Sequence, residues 1–222
     1  MSPSADWVWV EVDLKDICGH SKPGRGSREV CGRGKGHDGR HLYDTVWDFG
    51  QPDGHHVYRR RVRADQPLPT VRFYRATGPF GYLSNLYPCP VTIDEPGYPG
   101  GIRFISAEHA YQWGKAQLPE VRNWIMSAPH GRHAALAGHH LSAYDIVPDW
   151  KDVKIARMER VVEAKFRQNP ELREKLLGTG TAPLEEESND GFWGRGAFGY
   201  GANHLGSILM GVREKLRKEA PV

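Results

Sequence analysis

Near its start, the chain alternates apolar and polar residues with a period of two, which is typical of strands. Residues 8–14 carry Val or Leu at every second position. We predict two further short strands at 42–49 and 55–62, because apolar and aromatic residues recur there. The sequence GQPDG at 50–54 predicts a turn that pairs these two strands, since Gly, Pro and Asp favour turns.

Residues 18–41 interrupt this alternation with a stretch rich in Gly, Arg, Lys and His, which predicts a loop. The stretch holds two cysteines and three histidines, namely Cys18, His20, Cys31, His37 and His41. Their spacing matches no closed zinc-finger pattern, so we expect a polar loop and no metal site. Pro67 and Pro69 mark a link into the main domain. We therefore assign residues 1–70 to a β-rich appendage of unknown role and residues 71–222 to the main domain.

From position 71 onward, short apolar runs give way to helical periodicity near 3.6. Strands are predicted at 71–74, 90–93 and 102–105, with GYPGG at 97–101 as a turn. Ser106 is a suitable N-cap, and Pro119 and Pro170 are suitable first helical residues. The predicted helices are 107–117, 119–126, 130–138, 149–167, 170–178 and a last one beginning near Asn203. The apolar stripes of the fourth helix (155, 158, 162, 166) and of the last (205, 208, 209, 212, 216) predict core packing.

The composition fits one core-forming domain with an extra segment, since 39% of the 222 residues are hydrophobic. No apolar run approaches a membrane span, and Met1 is followed by polar residues rather than by a signal peptide. Three cysteines are too few for a disulfide framework. We expect a soluble, cytoplasmic protein without a membrane partner. A net charge of +3 gives no strong prediction of a nucleic-acid partner.

The helix predicted at 107–117 carries the first candidate chemistry. Glu108, Gln112 and Lys115 stand at i, i+4 and i+7 and therefore share one face. An exposed, salt-bridged face would explain this spacing. Tyr111 and Trp113 add aromatic surface to the same short helix, which favours partial burial and a pocket.

A second candidate is the segment 189–206, which has six glycines interleaved with aromatic residues. Glycine allows a backbone to approach a ligand closely, and aromatic rings stack on flat bases, so the composition suits a nucleotide-like ligand. The helix that starts at Asn203 offers backbone N–H groups for a phosphate. A glycine-rich loop packed by its own aromatic residues fits the composition equally well, because no GxGxxG or P-loop spacing is present.

Four blocks of the sequence resemble the NADAR (YbiA-like) family. They are FYRATGPFGYLSNLYPCPV, IRFISAEHAYQWGKA, DWKDVKIARMERVVEAKFRQNPELREKLLGTG and LEEESNDGFWGRGAFGYGANHLGSILMGVR. The resemblance covers about residues 72–217 and none of the first 70. It implies an α+β fold, with a mainly helical domain around a small strand element. It also implies an N-glycosidase that needs no cofactor and acts on a ribose attached through an amino group.

The resemblance also implies site residues by motif. The catalytic candidates are Glu108, Asp190, Lys115 and Trp150. The substrate-binding candidates are Phe80, Gly81, Asn85, His109, Gln112, Trp193, Gly194 and Asn203. Trp113 and Gly114 depart from the smaller or more polar residues expected in this block, which leaves the width of the pocket open.

Hydrolysis of the ribose–amine bond develops positive charge on the sugar, which the Glu108 carboxylate would stabilise while it activates water. Asp190, if buried beside aromatic rings, would hold the proton for the leaving amine. Trp150 and Trp193 would stack on the base. Lys115 would form a Schiff base with ring-opened sugar or clamp a phosphate, and Lys154 or Lys165 could replace it in either role.

Two substrate classes are implied by the resemblance: guanine carrying ADP-ribose on its exocyclic amine, and ribosylamino-pyrimidine phosphates of riboflavin synthesis. The basic, histidine-rich appendage favours ADP-ribosylated guanine in DNA or RNA, and an ADP-ribosyltransferase would then be the counterpart. A module that binds ADP-ribose or NAD without cleavage is the non-enzymatic alternative. A nucleic-acid binder acting through the basic residues 58–63 would show strong salt dependence that falls when Arg59 to Arg61 are neutralised.

Overall fold

The computed structural model describes the backbone of residues 7–12, 29–30, 46–50 and 56–63, and residues 68–219 in full. Its contacts divide the chain into two compact units. The N-terminal unit comprises residues 1–69 with 178–182, and the main unit comprises residues 70–177 with 183–222.

The N-terminal unit contains a four-stranded antiparallel sheet with the strand order β1-β4-β3-β2. Its strands are β1 (Trp7–Val12), β2 (Glu29–Val30), β3 (Val46–Gly50) and β4 (His56–Arg63). The three predicted strands and the pairing of the last two are confirmed. The short β2 lies inside the stretch predicted as a loop. The rest of that stretch with its cysteines and histidines, the GQPDG turn, and the side chains of Arg59 to Arg61 lie outside the described residues.

The main unit has two pairs of strands. β5 (Val71–Phe73) lies parallel to β8 (Leu184–Glu186), whereas β6 (Pro88–Glu95) and β7 (Tyr98–Ser106) form an antiparallel hairpin. Three of these strands were predicted, but β8 was not. The predicted turn at 97–101 is wrong in its extent, because Glu95 already pairs with Tyr98 and most of the GYPGG stretch belongs to β7.

Six helices match the predicted boundaries within two residues. They are α1 (Ala107–Lys115), α2 (Pro119–Met126), α3 (Gly131–His139), α4 (Trp150–Gln168), α5 (Pro170–Gly178) and α6 (His204–Lys218). Ser106 caps α1 as expected, since its side chain accepts from the backbone N–H of His109. The described part of the chain thus has an α+β fold with mainly helical content.

The core lies where the β6–β7 hairpin packs against α1 and α3. Trp113 belongs to this core and makes edge contacts with Phe104 at 5.8 Å between ring centroids. Gly114 leaves room for Arg157, because a Cβ at this position would lie 2.4 Å from Nε of the arginine. The two unusual residues of this block therefore serve helix packing in the core.

No helix in the described residues combines the length and the apolar character that crossing a membrane requires.

Candidate active site

Glu108 lies in the first turn of α1, with its carboxyl group almost completely buried. Its backbone N–H donates to the carbonyl oxygen of Asn85 at 3.0 Å, which ties the helix start to the preceding loop. Nε2 of Gln112 donates to Oε1 of Glu108 at 2.7 Å. Burial raises the pKa of Glu108 to about 7, although the Gln112 hydrogen bond and the charge of Lys115 act in the opposite direction.

Glu186 supplies a second carboxyl group at the end of β8. Burial raises its pKa to about 7, and the neighbouring charges of Glu108 and Asp190 add to the increase. Ser188 donates its hydroxyl to Oε2 of Glu186 at 3.3 Å. Two carboxyl groups from distant parts of the sequence are therefore brought close enough for one charge to affect the other.

Glu186 was not among the predicted site residues, because the alternation that separates it from Glu185 is informative only once β8 is known to be a strand. Side chains alternate between the two faces of a strand, so Glu186 shares the face of Leu184, which is fully buried. Glu185 points the other way and pairs with Arg195 at 2.5 Å. Recognising β8 as a strand would have separated the inward from the outward glutamate.

Asp190 is exposed, so the burial beside aromatic rings that was expected of it is absent. Its Oδ1 accepts backbone hydrogen bonds from Phe192 at 2.7 Å and from Trp193 at 2.9 Å. This geometry fixes the start of the glycine-rich loop. The charge of Asp190 still acts on the site, because it raises the pKa of Glu186.

Tyr111 joins the two predicted tryptophans in one aromatic wall. Its ring centroid lies 5.1 Å from that of Trp150 and 5.5 Å from that of Trp193. Burial and the charge of Glu108 raise the pKa of Tyr111, so its hydroxyl stays protonated at neutral pH. Tyr111 was not among the predicted site residues, yet it stands three positions after Glu108 and thus on the same helix face.

The three candidate lysines have different surroundings. Lys115 is partly buried and donates from Nζ to the carbonyl oxygen of Gly138 at 2.6 Å; burial lowers its pKa and the charge of Glu108 raises it. Lys165 is fully buried and donates to the carbonyl oxygen of Ser84 at 2.8 Å. Lys154 places Nζ 3.4 Å from the centre of the Phe192 ring. Of the three, Lys115 shares the helix of Glu108 and feels its charge.

His109 is buried with both ring nitrogens occupied. Nε2 lies 3.1 Å from the carbonyl oxygen of Ala128, which can only accept, so Nε2 carries the proton. Nδ1 then accepts from the hydroxyl of Ser106 at 2.8 Å. Burial lowers the pKa of His109, in keeping with a neutral ring that fastens α1 to the end of α2.

The loop before β6 carries three further predicted binding residues. Phe80 and Gly81 are buried, and the Phe80 ring contacts Tyr82 at 6.4 Å. Asn85 donates from Nδ2 to the sulfur of Met158 at 2.9 Å, while its Oδ1 is buried and has no hydrogen-bond partner among the described residues. Oε1 of Gln112 is likewise buried without a hydrogen-bond partner among the described residues. Both unpaired acceptors belong to residues that bond Glu108.

Asn203 and Gly194 shape the site through the backbone. Asn203 accepts from the N–H of Glu186 at 3.0 Å and donates to the carbonyl oxygen of Leu184 at 2.9 Å, so it fixes β8 against the start of α6. Gly194 leaves room for the side chain of Ser188, whose Oγ would lie 2.3 Å from an added Cβ.

The expectation of a phosphate at the start of α6 is wrong. The backbone N–H groups of residues 203, 204 and 205 donate to the carbonyl oxygens of Gly194, Phe192 and Trp193. They are therefore satisfied by the loop and are not available to a ligand.

The main unit is similar in sequence to proteins of one family. The family model described as NADAR domain matches residues 72–217. The riboflavin biosynthesis protein VVA0006 of Vibrio vulnificus is 35% identical over 161 residues, which cover 72% of this chain and 42% of that protein. The N-glycosidase YbiA of Escherichia coli is 34% identical over 164 residues, which cover 73% of this chain and 98% of YbiA.

The solved NMR structure of the Escherichia coli protein YbiA has the same fold. It superposes with a TM-score of 0.61 at 31% sequence identity and covers 71% of this chain and 92% of that one.

Proposed function

The chain belongs to the NADAR domain family and is an N-glycosidase, and we propose that it hydrolyses the bond between a ribose and an exocyclic amine of a base. The substrate that we favour is guanine carrying ADP-ribose. One observation carries this proposal: Glu108 and Glu186, both with a pKa near 7, lie close enough for the charge of Glu108 to act on Glu186, and Glu108 also acts on Tyr111 in a wall of three aromatic rings. Such a pair has the acid and the base that the reaction needs near neutral pH.

Glu108 acts as the ionised partner. As the C1′–N bond stretches, positive charge develops on the sugar, and a carboxylate at low dielectric stabilises it strongly. The same carboxylate takes a proton from the attacking water. Gln112 supports this role, because its hydrogen bond favours the charged form of Glu108.

Glu186 acts as the protonated partner. Its proton passes to the leaving nitrogen, so that the base departs as a neutral amine while water adds to C1′. Two neighbouring carboxyl groups resist ionising together, which keeps one proton on the pair near pH 7. Glu186 thus takes the role first expected of Asp190.

Tyr111, Trp150 and Trp193 hold the base. Flat rings in tilted and edge contacts present both faces and edges to a planar ligand. The protonated Tyr111 hydroxyl adds a hydrogen-bond donor within this wall.

Lys115 has two roles open to it. In one, it clamps a phosphate of the substrate. In the other, its amine attacks C1′ of the ring-opened imine, the base amine leaves, and water hydrolyses the new lysine imine. Burial lowers its pKa and favours the nucleophilic form. Reduction with borohydride during turnover would attach the sugar to Lys115 in the second case and leave the protein unmodified in the first.

The preference for ADP-ribosylated guanine in DNA or RNA rests on the basic segment 58–63. Such an enzyme would act opposite an ADP-ribosyltransferase and would meet its substrate in the cytoplasm. A ribosylamino-pyrimidine phosphate is the second candidate, favoured by the name of the Vibrio relative.

The test is to incubate the purified protein with an oligonucleotide that carries ADP-ribose on guanine, and separately with a ribosylamino-pyrimidine phosphate. Mass analysis should find free ADP-ribose and restored guanine. Release of the free pyrimidine alone would identify the ribosylamino-pyrimidine phosphate as the substrate. If neither product forms, both substrate candidates are contradicted, and a module that binds without cleavage is left.

Glu108→Gln should abolish turnover of the preferred substrate and retain binding. Glu120→Gln, which changes an exposed carboxyl on α2, is the matched control. Normal rates in Glu108→Gln would remove Glu108 from the site.

A further inference from the structure

The glycine-rich loop displays two large aromatic side chains in water. Phe198 is 88% exposed and Tyr200 is 94% exposed, with only Gly199 between them. Gly199 has φ +79°, a left-handed conformation that favours glycine, and this sets the backbone course between the two rings. An isolated exposed apolar residue is ordinary, but two at one loop tip form a protruding aromatic surface.

This tip is held in place rather than loose. The guanidinium of Arg195 donates to the carbonyl oxygen of Gly199 from Nε at 3.2 Å and from Nη2 at 2.6 Å, and it also pairs with Glu185. At the base of the loop, the N–H of Gly201 donates to the carbonyl oxygen of Arg195 at 2.6 Å. A ligand would therefore meet rings on an ordered backbone, which lowers the entropy cost of binding.

The first residues of the loop connect it to the candidate active site. Trp193, near its start, contacts Tyr111, and the N–H of Arg195 donates to the carbonyl oxygen of Glu186 at 2.9 Å. A ligand that lies over Phe198 and Tyr200 would thus bind a loop that contacts Tyr111 and the strand of Glu186.

Two lysines give this side of the molecule positive charge. Lys154 contacts the Phe192 ring of the loop at 3.4 Å, and Lys151 stands three positions earlier on α4. Lys154 follows Trp150 by about one helical turn and shares its face, and the Trp150 ring contacts Tyr111 in the site. Lys151 is offset from Lys154 by about 60° around the helix axis. Among the described residues, neither lysine forms an ion pair.

The acidic residues of the same helical turn face elsewhere. Asp149 and Asp152 are offset from Lys154 by 100° or more around the helix axis, at about 100° per residue. The side of α4 next to the loop is therefore cationic.

We propose that Phe198 and Tyr200 form a stacking platform for unpaired bases of a nucleic-acid strand, with Lys151 and Lys154 on its phosphates. Protruding rings suit a polymer that passes over the surface, whereas a small ligand is enclosed by a concave pocket. The inference deepens the proposed function, since it gives the nucleic-acid substrate a second contact beyond the scissile bond. Binding to the platform does not itself require turnover.

The first test measures the dissociation constant of an unmodified, fluorescently labelled single-stranded DNA 12-mer. Each stacked base contributes about 1–3 kcal/mol, equal to about 5- to 150-fold in affinity. The double variant Phe198→Ala/Tyr200→Ala should weaken binding at least about tenfold. Tyr144→Ala removes a tyrosine that is 86% exposed on another segment, and it should leave binding unchanged.

Two more variants sharpen the test. Phe198→Tyr/Tyr200→Phe keeps both rings and should restore wild-type affinity. Lys151→Gln/Lys154→Gln should reduce the slope of log affinity against log salt by about 1.4, the value for two phosphate contacts on a single strand. Lys218→Gln, at an exposed position on α6, is the charge control.

Turnover separates this inference from the proposed function. Hydrolysis of ADP-ribosylated guanosine, which has no flanking bases, should proceed at the wild-type rate in the double alanine variant. Three results would each overturn the platform. The wild-type protein fails to bind the 12-mer, Tyr144→Ala loses as much affinity as the double alanine variant, or the double alanine variant keeps its affinity. Ring-dependent binding without hydrolysis of either ribosylated substrate would uphold it and contradict the proposed function.

Discussion

The side-chain amide of Gln112 donates to Oε1 of Glu108 at 2.7 Å, one helical turn further along α1. This bond opposes the effect of burial on the pKa of Glu108, because it stabilises the carboxylate. The balance between the two effects sets the pH at which Glu108 becomes ionised.

Gln112→Leu should move the acidic limb of the kcat/KM profile to higher pH. Without the amide, the pKa of Glu108 rises, by about one unit for a hydrogen bond to a charged group. The rate should therefore fall about tenfold at pH 6 and much less at pH 8. Gln117→Leu, whose amide bonds the carbonyl oxygen of Tyr144 instead, should leave the profile unchanged. An unmoved limb in Gln112→Leu would show that Glu108 does not limit the rate there.

Gly138→Ala should disturb the same bond from the opposite helix. A Cβ at position 138 would lie 1.9 Å from Oε1 of Gln112, so the amide must move. We expect the acidic limb to shift as in Gln112→Leu. Gly211→Ala meets nothing within 4 Å in α6 and should only raise stability, by up to about 1 kcal/mol. A normal pH profile in Gly138→Ala would indicate that Gln112 finds another position in which it still bonds Glu108.

The wild-type kcat/KM profile should be bell-shaped around pH 7. It rises as Glu108 loses its proton and falls as Glu186 loses the proton needed by the leaving amine. Glu186→Gln should lower kcat about 100-fold or more and remove the fall above pH 7. Glu187→Gln changes the adjacent, exposed carboxyl and serves as the control. An alkaline limb that persists in Glu186→Gln would assign the acid to another group.

Glu108 should make folding stability decrease with pH. Its pKa is about 4.5 when unfolded and about 7 when folded, so the folded state binds its proton more tightly. The resulting stabilisation is complete below pH 4.5 and is lost as pH rises through 7. Glu108→Gln cannot ionise, so its free energy of unfolding lacks this pH dependence. Between pH 4.5 and pH 8, the variant should gain on the order of 3 kcal/mol in stability relative to wild type. Denaturant unfolding at both pH values measures this change. The same stability difference between variant and wild type at both pH values would contradict the raised pKa.

Lys165 should make folding stability increase with pH at alkaline pH. Burial lowers its pKa from 10.5 to about 8, so the unfolded chain binds more protons between these values. The stabilisation is complete above pH 10.5 and is lost as pH falls through 8. Wild type should gain about 2–3 kcal/mol over Lys165→Met between pH 8 and pH 10. Lys218→Met should follow wild type, and a constant difference for Lys165→Met would mean that Lys165 keeps its normal pKa.

The helices of the main unit were predictable because local signals specify them. Proline at 119 and 170, and Ser106 as an N-cap, mark starts that the structure confirms. The face shared by Glu108, Gln112 and Lys115 followed from helical spacing alone. Both Glu108 and Gln112 are buried, so this face is partly internal.

What the sequence did not reveal depends on pairing between distant segments. Leu184–Glu186 is too short for a periodic pattern, and it becomes a strand only because β5 offers a parallel partner. The second carboxyl was missed for that reason. Asp190 stands in a glycine-rich segment, where solvent exposure depends on how the loop folds back on itself rather than on neighbouring residue types.

The β5–β8 pair joins residues 113 positions apart. Contacts of such long range form late, since the chain entropy lost on closing the intervening loop must first be overcome. During synthesis, Glu108 leaves the ribosome well before Glu186, and the helices between them can form locally. The proposed acid and base meet only when nearly the whole main unit has emerged, so a nascent or truncated chain that ends before β8 lacks the proposed catalytic pair.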